Sequence, residues 1–315
     1  MKKLALYSFT FLSLLLVASP SLTAQEKYTL KNGYPSGYAP GKYEKVMECS
    51  IDGIVAGSVP LKNSQARYIT IEAAEKNADG TQKITTKFTR EVVKGTMPPA
   101  NYDSGHHDAD NNTPIKQPAG IVHGVGSIIV GLKITTLYDK EGKPIKSEGG
   151  DEFFKKLAAV APGAIDVKTM MMDESGQIAA DSSLRSNSIP LKMPNAPVAV
   201  GETWKNEGMM DNMSMGRVKV NVENTLKEVT TENGRKIAII TSKVAHHSDE
   251  PMPLPSVPDF IITKVDIRAD STATVDLESG LILKIATDAD IVFEDGDGDK
   301  STYKVKTTVA GTPKK

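Results

Sequence analysis

Segments of alternating apolar and polar residues, joined in pairs by short turns, run through most of this 315-residue chain. Within residues 68–88, β-branched and aromatic side chains recur at every second position on both sides of Asp79-Gly80, and within residues 218–241 the same pattern flanks Asn233-Gly234. Alternation of period two buries one face of a strand, and Asp-Gly and Asn-Gly are typical hairpin turns. The pattern therefore predicts a chain built mainly from antiparallel β-hairpins.

Further turns share one chemical pattern, in which an acidic residue opens the turn and a glycine closes it. They lie at Asp139 to Gly142, Asp173 to Gly176 and Asp276 to Gly280, and a last hairpin has the acidic tip 294–299. Glycine suits the closing position because it adopts a positive φ at little cost. The acidic tip has no glutamate at the distance that a calcium loop requires, so we interpret it as an ordinary turn.

One segment alone predicts a main helix. In residues 151–161, Phe153, Leu157 and Val160 fall on one helical face, and Pro162-Gly163 ends the pattern. A helix this short needs a sheet to pack against. We therefore expect a mostly β protein with one main short helix, a β-rich α+β class with curved antiparallel sheets.

The order of hairpins, polar loop, strand and acidic turn occurs twice along the chain. This repetition predicts two related halves, residues 25–189 with the helix near 151–161, and residues 190–315. Prolines at 190, 194 and 197 mark the connection between the halves, because proline is excluded from central strands. Gly201 then allows a bend, and Trp204, the only tryptophan, is expected to be a structural residue that packs over the end of the new sheet.

The first 24 residues resemble a secretory signal peptide: a basic start at Lys2 and Lys3, a short apolar run and a small residue, Ala24, before the expected cut. Cleavage there leaves 315 − 24 = 291 residues and takes the net charge from −1 to −3. We expect an exported protein, periplasmic or extracellular, with no later transmembrane segment. A nearly neutral chain gives no electrostatic case for nucleic acid.

The segment from Pro197 to Trp204 reads P-V-x-V-G-x-T-W. It resembles an uncharacterised family of exported bacterial proteins, and the order of signal peptide, hairpins, helix and further hairpins is also similar to that family. The resemblance implies no activity. The element order is similar to that of lipoprotein-carrier-like envelope proteins, in which a curved antiparallel sheet packs around a helix.

Histidines form the sharpest chemical feature. The pairs His106-His107 and His246-His247 begin two proline-rich loops, with carboxylates nearby, and imidazole with carboxylate suits zinc or copper. Adjacent residues of a strand point to opposite faces, so a pair could bind through both rings only on an irregular backbone. The methionines near 209–215 are soft ligands that would suit copper, but methionine also fills gaps in cores.

No phosphate loop, dinucleotide fingerprint or hydrolase motif occurs in the sequence, and we expect no cofactor and no catalytic residue. With Cys49 as its single cysteine, the exported chain has no internal disulfide. The function expected is a non-enzymatic binding or structural module of the cell envelope, with a cleft for a small apolar ligand or an envelope component as partner. The alternatives are a periplasmic metal-binding protein that uses the histidine pairs, and a hydrolase that its sequence does not reveal.

Overall fold

The computed structural model describes residues 25–31, 37–95, 101–103, 130–150, 155, 191–212, 216–254 and 257–313. These residues form fifteen β-strands: β1 Lys27–Tyr28, β2 Gly41–Val55, β3 Val59–Ala73, β4 Gln82–Gly95, β5 Asn101–Asp103, β6 Lys133–Tyr138, β7 Pro144–Glu148, β8 Val198–Ala199, β9 Thr203–Asn212, β10 Gly216–Glu232, β11 Arg235–Ser248, β12 Met252–Leu254, β13 Val257–Asp276, β14 Ile282–Asp295 and β15 Lys300–Pro313. The pairs they form are antiparallel. The prediction of a mostly β, antiparallel protein is confirmed.

Thirteen of these strands form one sheet. Its main path runs β7-β6-β4-β3-β2-β15-β14-β13-β11-β10-β9, with β5 beside β4 and β12 beside β13, while β1 and β8 form a separate pair. The curved sheets expected for a chain of two halves are therefore joined into one sheet in the described strands. The last strand, β15, pairs with the early strand β2 from Thr302↔Ile54 to Pro313↔Tyr43. Alternation reveals strands but not their distant partners, so this junction had no local signal.

The predicted turns carry the backbone conformations that their residues favour. Asn233 and Gly234, between β10 and β11, both have positive φ, 50° and 79°, as a type I′ hairpin turn requires. In the acidic turn after β6, Asp139 Oδ1 accepts the amides of Glu141 and Lys143 at 2.9 and 2.8 Å. Asp276 accepts amides in its own turn in the same way, and Asp295 does so in the acidic tip.

The register divides the side chains of the sheet between two faces. Residues paired directly across neighbouring strands point to the same face, and the pairs Ile69↔Phe88 and Ile267↔Ile291 belong to the buried one. We call this the inner face and the opposite one, rich in exposed lysine and carboxylate side chains, the outer face. One buried and one solvated face is the usual arrangement of an antiparallel sheet.

Three apolar clusters lie on the inner face. Two of them, the upper clusters, are centred on Ile69, Ile84 and Phe88 and on Leu226, Ile240 and Val275. The third, the lower cluster, consists of residues Met210, Val218, Val220, Val222, Val244, Ile262, Val265, Ile267, Ala269, Ala289, Ile291, Phe293 and Val305.

Several sequence expectations fall on residues outside the described ranges. These are residues 1–24, the turn from Asp173 to Gly176, and the helix near 151–161 apart from Lys155, so each stays a prediction. In the part of the chain that the structure describes, no helix has the length and hydrophobicity needed to cross a membrane.

Candidate binding surface

A row of mostly polar side chains crosses the inner face between the upper clusters and the lower cluster. Its members are paired directly from strand to strand, in the order Asn224, Ser242, Ser271, Thr287, Thr307, Cys49 and Gln65. We call this set the polar row. It passes through the middle of a face that is mostly apolar.

The two ends of the polar row are hydrogen-bonded. Ser242 donates to Asn224 Oδ1 at 2.7 Å, and Asn224 Nδ2 donates to Asn206 Oδ1 at 2.6 Å. At the other end, Gln65 Nε2 donates to Glu91 Oε1 at 2.6 Å. These contacts follow the general rule that buried polar groups find partners.

The middle of the row departs from that rule. Ser271, Thr287 and Thr307 are only 5%, 4% and 3% exposed, and none of their hydroxyl oxygens has a hydrogen-bond partner among the described residues. We call these three residues the hydroxyl row. They occupy directly paired positions on β13, β14 and β15.

Small side chains surround the hydroxyl row. Along β13, Ala269 and Ala273 flank Ser271 on the inner face, and on β14 Ala289 follows Thr287. All three alanines are buried. Alanine side chains project less far from the sheet than the isoleucine and phenylalanine side chains nearer its lower end.

A buried ion pair lies beside the far end of the polar row. Arg67 Nε and Glu91 Oε1 are 2.8 Å apart on β3 and β4, with side chains 7% and 2% exposed. Glu91 also accepts the hydrogen bond from Gln65. The two charges compensate each other, and Glu91 holds the Gln65 end of the polar row in place.

The structure separates the two described histidines. His246 pairs with Ile267 and faces inward, whereas His247 pairs with Asp266 and faces outward. Adjacent residues in a regular strand cannot turn both rings toward one ion. Among the described residues no group of three or more histidine, cysteine or acidic side chains is arranged to hold a metal.

His247 is instead held by carboxylates. Its Nδ1 lies 2.6 Å from Asp266 Oδ1 and its Nε2 lies 3.0 Å from Asp249 Oδ2. The hydrogen bond with Asp266, followed by that with Asp249, raises the pKa of the imidazole. The same contact with His247 lowers the pKa of Asp266. The ring is therefore an exposed ion-pair partner on the outer face.

The remaining metal candidates, His106 and His107, lie outside the described residues. Met210 is described and packs in the lower cluster. Cys49 is half-buried and contacts the same cluster.

Gly201 and Trp204 lie at one edge of the sheet, where the chain enters β9. Gly201 has a φ of 89°, a conformation that favours glycine, and its amide donates to Leu226 O at 2.7 Å. Trp204 is half-buried against an upper cluster, and its indole Nε1 donates to Lys192 O at 2.8 Å. Both residues shape this edge and neither lies at the hydroxyl row.

The outer face carries a shallow groove of about 470 Å³ at the junction of β15, β2, β3 and β4. Lysines line it together with Ser50, Ser64 and Asp52. One of them, Lys306, is already paired with Asp288 at 3.2 Å. Its open shape and mixed charges make it a weaker candidate than the inner face.

Sequence reasoning did not single out the hydroxyl row or the Arg67–Glu91 pair. Threonine is an ordinary strand residue, so Thr287 and Thr307 look like any alternating position. The available signal was local: serine or threonine stands at inward positions between alanine, valine and isoleucine in β13, β14 and β15.

Comparisons with known proteins give a family without a known activity. No curated protein is detectably similar in sequence. Among solved structures, one that concerns lipid–protein interactions in lipovitellin is similar to this chain, with 11% sequence identity and a TM-score of 0.42. The match covers 87% of this chain and 25% of lipovitellin, so this chain spans about a quarter of that protein's length. OmpF of Salmonella typhi, in complex with daunomycin, is 9% identical with a TM-score of 0.23, over 86% of this chain and 97% of its own.

Residues 79–282, more than half of the chain, match the model of a family of unknown function. The chain therefore belongs to that family, DUF6263.

Proposed function

We propose that this protein is an exported, non-enzymatic binding module that holds an apolar ligand against the inner face of its sheet. The observation that carries the proposal is the hydroxyl row: three buried hydroxyls without described partners, set among small side chains in the middle of an apolar face. Ligand sites are mostly apolar surfaces with a few placed polar groups. The inner face has this composition.

The size of the sheet supports a concave inner face. Open twisted sheets of more than about ten strands generally curl, split or flatten, and the main path here has eleven strands. Burial differs sharply between the faces, since inner residues such as Ile267 and Ile240 are fully buried while outer lysines are exposed. A curled sheet with its apolar side inward accounts for this difference.

The lower cluster supports the placement of the ligand. Its buried members all come from strands β9, β10, β11, β13, β14 and β15. One upper cluster, in contrast, includes Leu30, Leu191 and Met193 from segments that lie outside the main sheet. Within the described residues, then, the lower cluster is built from strands of the main sheet, whereas this upper cluster also packs against segments outside it.

We further propose that the two halves are related and share this one surface. The order β2-β3-β4-β6-β7 in the first half corresponds to β9-β10-β11-β13-β14 in the second, and a short extra strand, β5 or β12, occurs in the same slot of each. The β15–β2 pairing then joins the halves into a single inner face.

The test is fluorescence titration with N-phenyl-1-naphthylamine, an uncharged apolar probe whose emission rises in apolar surroundings. We expect saturable binding that long-chain alkanes displace. The substitution Ala289→Phe fills space beside the hydroxyl row and should weaken binding at least about tenfold, the effect of ~1.4 kcal/mol. Ala245→Phe, at an exposed outer position of β11, is the matched control and should bind as the wild type does.

Two results would contradict the proposal: no saturable probe binding by folded protein, or equal loss in both variants. Circular dichroism and thermal unfolding of each variant show that it remains folded. Export is tested separately by fractionating bacteria that express the chain with and without residues 1–24. The proposal requires release from the cytoplasm only when this segment is present.

A further inference from the structure

The hydroxyl row presents hydrogen-bonding groups in a repeating arrangement. Ser271 is paired directly with Thr287, and Thr287 with Thr307. Directly paired side chains on neighbouring strands have Cβ atoms about 5 Å apart. The three hydroxyls therefore line a short path across three strands in the centre of the inner face.

These hydroxyls need an external partner for a physical reason. Burying a hydroxyl without a hydrogen bond is unfavourable, and native proteins leave few such groups. Here three adjacent ones occur, while Ser242 on one side, and Gln65 beyond Cys49 on the other, are hydrogen-bonded. Within the polar row, the unpaired groups are thus three directly paired neighbours on β13, β14 and β15.

The surroundings of the row define the chemistry of that partner. The neighbouring inward residues are apolar on both sides of the row along the strands, for example Ala273 and Ala269 on β13, Ile285 and Ala289 on β14, and Val309 and Val305 on β15. No inward position from Val265 to Val275, Ile285 to Phe293 or Ser301 to Gly311 carries a charge. An ionised headgroup would be buried there without a counter-charge, which is strongly unfavourable.

We propose that the hydroxyl row binds the oxygen of an internal ester or ketone group in a neutral long-chain lipid. The two apolar arms of the lipid lie on opposite sides of the row, one toward the upper clusters and one over the lower cluster. Each hydroxyl can donate a hydrogen bond to a carbonyl oxygen. This inference rests on the proposed function and adds the class of ligand that the same surface selects.

The test compares two molecules that differ in a single functional group. Heptadecane and 9-heptadecanone have the same chain length, but the ketone carries an oxygen at its centre. Each is delivered as a methyl-β-cyclodextrin complex to the folded full-length protein, and bound ligand is measured by displacement of N-phenyl-1-naphthylamine. The wild type should prefer the ketone about tenfold, the value expected for one to two net hydrogen bonds.

The variants are Thr287→Val and Thr307→Val, which remove hydroxyls and keep the side-chain shape. Both should abolish the preference for the ketone and leave heptadecane binding unchanged. Thr86→Val is the matched control, because Thr86 is also an inward, buried threonine without a described partner but lies on β4, away from the row. It should keep the tenfold preference.

The outcomes separate the two proposals. Equal binding of both molecules by the wild type, or a preference that survives in Thr287→Val and Thr307→Val, overturns the inference about the hydroxyl row and leaves apolar binding standing. Failure of both molecules to bind overturns the proposed function as well. Preferential binding of oleate, a terminal carboxylate, would also contradict the inference.

Discussion

Thr287 on β14 and Thr307 on β15 are directly paired, and both hydroxyls are buried on the inner face without a hydrogen-bond partner among the described residues. Such groups lower the stability of the ligand-free protein. Valine at these positions would make the ligand-free protein more stable. A role in ligand binding explains why threonine stands there instead.

Replacing Thr287 by valine should therefore stabilise the ligand-free protein. We expect the free energy of unfolding to rise by about 1 kcal/mol, because an apolar group of the same shape replaces an unsatisfied hydroxyl. Urea unfolding measures the change. Thr272→Val, at an exposed outer position of β13, is the control and should change stability by less than about 0.5 kcal/mol. A loss of stability in Thr287→Val would mean that the hydroxyl has a partner in the native protein.

The Arg67–Glu91 pair should behave as a coupled unit. Replacing Glu91 by glutamine leaves the buried guanidinium of Arg67 without its counter-charge, so we expect a loss of about 3 kcal/mol. The double variant Arg67→Met with Glu91→Leu should be more stable than the sum of the single changes Arg67→Met and Glu91→Leu predicts. A double-mutant cycle by urea unfolding measures the coupling, and strictly additive effects would show that the pair contributes nothing as a unit.

The sequence was sufficient to predict strands and turns, but not their assembly. Asn233-Gly234 and Asp139 each carry the turn chemistry in adjacent residues, so their hairpins could be found locally. The β15–β2 pairing joins residues about 250 positions apart and has no such signal. Each residue of the hydroxyl row has a local signal, a hydroxyl among apolar neighbours, but Ser271, Thr287 and Thr307 become a set only when three strands are aligned.

For the second histidine pair, the sequence predicted the directions of the two rings but not the carboxylate that binds His247. Opposite faces for His246 and His247 follow from strand periodicity alone. That Asp266 stands directly opposite His247 depends on the register between β11 and β13, which alternation leaves open because a strand can slip by two residues without exchanging its faces.

His247 should titrate above its ordinary range because Asp266 and Asp249 bind its protonated ring. In Asp266→Asn the pKa of His247, followed by the NMR shifts of the ring protons, should fall. The stabilisation from these contacts is fully present below the unfolded pKa of about 6.5 and is lost as the pH rises through the raised folded pKa. An unchanged pKa in Asp266→Asn would show that the contact is absent in solution.

Trp204 should contribute through its packing and through one hydrogen bond. Trp204→Phe keeps an aromatic ring against the upper cluster but loses the bond to Lys192 O, so we expect a loss of about 1 kcal/mol. Trp204→Ala should cost more, about 3 kcal/mol. Thermal and urea unfolding, followed by circular dichroism, measure the stability of both variants. Equal stability of Trp204→Phe and Trp204→Ala would show that packing of the aromatic ring contributes nothing.

The central claim, that an apolar ligand lies on the inner face, is tested most directly by NMR of alanine methyl groups. The inward methyls of Ala269, Ala273 and Ala289 and the outward methyls of Ala245 and Ala286 lie on the same strands or on adjacent ones. With ¹³C-labelled alanine and added 9-heptadecanone, we predict shift changes and intermolecular NOEs at the three inward methyls and none at the two outward ones. Saturable changes confined to the outward methyls, or no change at any of the five, would contradict the account.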